Sequence, residues 1–128
     1  MTGISSGQVA ALRRYTRLSI NWSSHTLARQ QRELAQLAVA GARAQALQTT
    51  ASYGAGSTLQ QSRLANRGQI TSIAPGQGPR RGWWLITTQE QTTGTGDYSR
   101  QPAQTHVYAA RLTHTAHGWE ISTWSPQS

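Results

Sequence analysis

The chain changes periodicity once, near Leu64, and that change restricts the fold more than any other feature. Before it, apolar residues recur at helical spacing. After it come three aromatic-anchored runs with strand character: Gly82–Thr93 (GWWLITTQEQTT), Thr105–Thr115 (THVYAARLTHT) and Trp119–Trp124 (WEISTW). Helices first and strands second is the pattern of an α+β fold, with the helices covering one face of an antiparallel sheet. A chain of 128 residues makes one such domain, with helices over about residues 5–63 and strands over about 64–125.

Three helices are expected. The first begins after Ser5 or Ser6, both good N-caps, and places Val9, Leu12, Tyr15, Leu18 and Trp22 on one face. Arg13, Arg14 and Arg17 fall on another face, with Ile20 on the arginine side. Asn21–Thr26 reads as a cap-rich break. A second helix runs from about Leu27 to Val39, with Arg29 and Arg32 facing away from Leu27, Leu34, Leu37 and Ala38. The third, from about Gly41 to Ser52, is rich in Ala, with Ala44, Leu47 and Ala51 as its apolar side; Ser57–Arg63 adds a short turn. Four strands follow, the first over Leu64–Ile73. Ala74–Gly82 and Gly94–Gln104 read as loops, Ala116–Gly118 as a tight turn, and Ser125–Ser128 as a frayed end. Trp83–Ile86 is apolar at every position, so that half-strand needs cover on both faces.

Composition limits the chemistry. There is no Cys, which excludes disulfides, thiolate zinc sites and cysteine nucleophiles. There is no Phe; five Trp and four Tyr supply the aromatic volume, and each buried N–H or O–H among them needs a partner. The net charge is +8, with all twelve basic side chains Arg, against Glu33, Glu90, Asp97 and Glu120. Such a balance attracts nucleic acid, anionic lipid or an acidic partner without specifying which. No apolar run is long enough to span a membrane, and MTGISSGQVAALRRY lacks the order of a signal peptide.

The helix Val9–Trp22, the run LANRGQITSIAPG after an Ala-rich helix, the strand WWLITTQEQTT and the terminal GWEISTWSP together resemble a known family. The chain is similar, over about residues 5–126, to nuclear-transport-factor-like (cystatin-like) rolls. Within these it resembles the extracytoplasmic domain of the small single-span assembly subunit of type IV secretion and conjugation machines. The resemblance implies three helices packed on a curled four-stranded antiparallel sheet. It also implies a non-enzymatic scaffold that contacts other channel subunits and further copies of itself; no cofactor or metal is expected. Its place would be the extracytoplasmic side of the bacterial cell membrane, held by an upstream anchor not present in this sequence. Without such an anchor the expected place is the cytoplasm.

Several residue sets have both a functional and a plain reading. Arg80 and Arg81 stand beside Trp83 and Trp84 at a loop-to-strand junction. Arg and Trp together can anchor a protein interface or stack on nucleic-acid bases; the plain reading is a core Trp beside a solvated loop. Arg13, Arg14, Arg17, Arg29 and Arg32 form a basic face that could meet anionic headgroups, or simply the solvated side of two amphipathic helices. Glu90, Asp97, His106 and Tyr108 are the acid–base set an enzyme would use, since rolls of this class include isomerases and dehydratases with a carboxylate or His between helices and sheet. The alternative to a scaffold is thus a small-ligand binder or enzyme of that kind; a basic nucleic-acid-binding module is a third reading. His114 and His117 flank a turn, too few ligands for zinc.

Overall fold

The computed structural model describes residues 6–52, 63–94 and 102–127. Three helices, α1 (Ser6–Ile20), α2 (Leu27–Gln36) and α3 (Ala40–Ser52), pack on a curled antiparallel sheet. The sheet has five strands in sequential order: β1 (Trp22–Ser23), β2 (Ala65–Pro75), β3 (Trp84–Thr93), β4 (Gln104–Thr115) and β5 (Gly118–Pro126). The expected α+β roll is therefore present, with one strand more than the sequence suggested. β1 lies in the Asn21–Thr26 break, where Trp22 and Ser23 pair with Asn66 and Ala65. Trp22 accordingly belongs to the sheet and not to α1. The expected turn over Ser57–Arg63 falls almost wholly outside the described residues.

The helices close around a core of Leu12, Tyr15, Leu34, Ala35, Trp84, Ile86, Ala110 and Ile121. Trp124 joins the layers: its ring lies 5.0 Å from Tyr15 and stacks on Tyr108 at 4.8 Å. Ile20, which the helical wheel placed with the arginines, is only 1% exposed. It sits in the last turn of α1, where the helix runs down onto β2, and its side chain meets the backbone of Gly68.

Two helices differ from expectation. α2 stops at Gln36 because Leu37–Val39 turns into the sheet: the Val39 N–H donates to the Ile121 carbonyl at 2.8 Å and the Ile121 N–H to the Leu37 carbonyl at 3.0 Å. α3 buries Ala42 and Ala46, one turn apart, while Ala44 and Leu47 are exposed. Methyl-sized side chains let this helix approach β5 closely, and a Cβ on Gly41 would touch the Ser122 carbonyl at 3.9 Å. At the other end, Ser125 and Pro126 extend β5, and Gln127 donates its N–H to the Val107 carbonyl at 2.7 Å, so that stretch is paired and not frayed.

Face alternation in β3 is regular: Trp84, Ile86, Thr88 and Glu90 are buried, and Trp83 and Leu85 lie half-buried opposite. The double-sided apolar stretch is thus covered by the core on one face only. Register shifts near Thr71 in β2 and at Arg111–Leu112 in β4 curl the sheet around the helices.

Candidate functional site

Three surfaces or clusters gather the chemistry-bearing residues. The first lies inside the sheet. β3 and β4 pair so that Glu90 stands opposite Gln104, Thr88 opposite His106 and Ile86 opposite Tyr108, which turns Glu90, His106 and Tyr108 to one face. Tyr108 donates to Glu90 Oε2 at 2.6 Å, Thr88 donates to the same oxygen at 2.5 Å, and Asn66 Nδ2 donates to Oε1 at 2.8 Å. Asn66 is itself fixed, donating to the Ile20 carbonyl at 2.7 Å and accepting from Thr92 at 2.9 Å. Burial pushes the Tyr108 hydroxyl well above the usual phenol range, reinforced by its bond to Glu90 and by the negative charge there. It therefore stays a donor at physiological pH. His106 lies half-buried, its ring 6.4 Å from that of Tyr108.

Glu90 and His106 line a cavity of about 50 Å³ with Thr92, Pro102 and Gln104. That space suits a water or two; small-molecule sites usually run from about 300 to 1,000 Å³. Asp97 lies outside the described residues. The sequence missed Asn66 and Thr88 as partners of Glu90. Thr88 carried a signal, since it shares inner-face parity with Trp84, Ile86 and Glu90. Asn66 carried none, because its role depends on how α1 and β2 meet.

The second cluster is the Arg–Trp junction. Gly78–Arg80 forms a short 3-10 turn leading into β3. Trp83 is half-buried and has two guanidinium groups near its ring, Arg80 at 5.9 Å and Arg111 at 5.4 Å from the centroid. Arg80 also donates to Gln127 Oε1 at 2.5 Å. Arg81 is exposed, whereas Trp84 points into the core. Arg111 escaped notice because it reaches Trp83 only through the β3–β4 register, which sets Trp84 against Ala110.

The third is a groove of about 1080 Å³ between α1 and β2, lined by Arg13, Arg14 and Arg17 among others. Arg29 and Arg32 are exposed on α2 and do not line it. The five arginines thus split between two surfaces. His114 packs against Trp119 at 4.9 Å. Among the described residues no group of three His, Cys, Asp or Glu side chains is placed to hold a metal ion, and no helix is long and apolar enough to cross a membrane.

No protein-family model matches the sequence, and comparison with curated proteins finds no match. Solved structures do match along the whole chain. VirB8 of Agrobacterium tumefaciens superimposes with a TM-score of 0.71 at 13% identity, over 100% of this chain and 96% of that one. A TrwG component of a type IV secretion system from Bartonella birtlesii gives 0.71 at 11% identity, over 98% and 93%. A periplasmic fragment of TraM gives 0.57 at 14% identity, over 98% of both. The chain thus has the nuclear-transport-factor-like fold of these domains, as its sequence pattern suggested.

Proposed function

We propose that this chain is a non-catalytic assembly subunit of a bacterial conjugation or type IV secretion apparatus. It acts on the extracytoplasmic side of the membrane through contacts with other channel subunits. The observation that carries this reading is the correspondence with VirB8 and TrwG over nearly all of this chain and of theirs. Fold alone does not assign function, but the interior favours a scaffold over an enzyme. The cavity that Glu90 and His106 line holds only about 50 Å³, while Leu12, Tyr15, Ile86 and Ile121 are packed in the core between helices and sheet. The Glu90 oxygens are already engaged by three side chains of the protein itself.

The contact surface proposed is the Arg–Trp junction. Half-buried Trp83, with the Arg80 and Arg111 guanidinium groups near its ring and exposed Arg81 two residues away, is an aromatic patch with a positive surround. Trp and Arg carry a large share of binding energy at protein interfaces.

The test is made in the native host. Deleting the gene is expected to abolish conjugative transfer or secretion, and the full-length protein is expected to co-purify with the channel subunits. A Trp83→Ala, Arg111→Ala double variant should lose that co-purification while retaining its circular dichroism. Unchanged transfer after clean deletion, with the channel assembled as before, would overturn the reading.

A further inference from the structure

Both outer edges of the sheet are covered only in part. The Leu37–Val39 segment bridges the β5 edge at Ile121, through two bonds. At the opposite edge, β1 covers β2 only at Ala65 and Asn66. Asn21 Oδ1 then accepts the Gly68 N–H at 3.0 Å. Beyond that point, among the described residues, no strand pairs with β2 on its outer side. An open edge offers unpaired N–H and C=O groups to any strand that can reach it.

This edge borders the large groove under α1. Half-buried Val9, Leu18 and Ile70 give the groove an apolar lining, and exposed Arg13, Arg14 and Arg17 give it charge. Glu33 is the sole acid among its lining residues. Arg13 and Arg17 stand one turn apart on α1 with Arg14 beside them, so the charge is concentrated at one stretch of the groove. The register shift after Ile70 ends the regular run of β2, so a visiting strand is short and depends on side-chain attraction as well.

We infer that this edge and groove dock an extended, acidic segment of a partner protein as an added strand beside β2. The strand continues the line that β1 begins, with its carboxylates against Arg13, Arg14 and Arg17. In strand addition, main-chain bonds supply affinity and alternate side chains supply specificity. Here the inward positions of the visitor lie beneath α1, where the charge is positive. A nucleic acid or an anionic membrane would use the arginines but would leave the β2 edge unpaired. Nothing in this surface requires the secretion role proposed above.

The probe is a fluorescein-labelled peptide in which Glu and Val alternate, followed by fluorescence anisotropy with the intact chain. Saturable binding is expected. N-methylation of alternate peptide amides and the Arg13→Glu, Arg17→Glu double variant should each weaken it by about tenfold or more. Backbone NMR signals of Gln69, Ile70 and Thr71 should shift, and those around Trp83 should not. Both arginines are exposed, so circular dichroism should confirm that the variant is folded. Absence of saturation up to about millimolar peptide overturns the inference. Insensitivity to either change overturns it as well. So does tighter binding, through the same arginines, of a single-stranded DNA oligonucleotide or of phosphatidylglycerol vesicles.

Discussion

Glu90 shows how much of this protein depends on a single side chain. The residue is 7% exposed, and the three donors to its carboxylate, Asn66, Thr88 and Tyr108, are all neutral. A buried charge needs hydrogen bonds in place of its lost hydration. Bonds to a charged acceptor contribute about 1.5–3 kcal/mol each. Tyr108→Phe keeps the ring that stacks on Trp124 but removes one donor. It is expected to lower the free energy of unfolding by about 2 kcal/mol in urea titrations. No change would mean that the remaining donors satisfy the carboxylate alone. Thr16 is the converse case: its hydroxyl is buried and has no partner. Thr16→Val replaces that hydroxyl with a methyl of similar size, and should raise stability by about 1 kcal/mol in the same measurement.

Between elements, the tightest junction is where α1 lands on β2. A Cβ on Gly68 would lie 2.8 Å from the Glu90 Cγ and 2.9 Å from the Ile20 Cδ1, both closer than real Cβ contacts. Gly68→Ala is expected to cost about 1–3 kcal/mol through forced shifts of α1 against the sheet, read as a lower thermal midpoint. Ala40 opens α3 with φ 52, a left-handed conformation that disfavours a side chain. Ala40→Gly should therefore stabilise by about 1 kcal/mol at that turn. These junctions mark the limit of what the sequence makes legible. Periodicity finds α1, α2 and β3–β5 because their own residues repeat. It cannot find β1, since two residues carry no period and pair only because Asn66 and Ala65 pass beside them. It misplaces Ile20 and Leu47 for the same reason: which face is buried depends on the neighbour. The candidate site divides likewise. Glu90, His106 and Tyr108 can be grouped from strand parity, while Asn66 and Arg111 enter only through register and helix docking.

At the scale of the whole molecule, the aromatic core ties stability to alkaline pH. Tyr15 is packed between the helices and Trp124, and burial pushes its hydroxyl from 10.0 up to about 12. Tyr108 is displaced in the same direction, first by burial and then by Glu90. The sign follows from proton counting. Between the unfolded and folded values the unfolded chain has released the phenolic proton and the native state still holds it, so stability falls as pH rises. The Tyr15 contribution is intact below about pH 10 and is lost progressively up to about pH 12, with a total of about 2–3 kcal/mol. The composition makes this window easy to assign. The chain has no Lys and no Cys, and arginine stays protonated throughout, so few other side chains titrate there. Urea unfolding from about pH 8 to about pH 12 should show a plateau followed by a decline. Tyr15→Phe should flatten the decline, and pairing it with Tyr108→Phe should flatten it further. A decline of equal steepness in the double variant would place the alkaline sensitivity outside the core that joins the helices to the sheet.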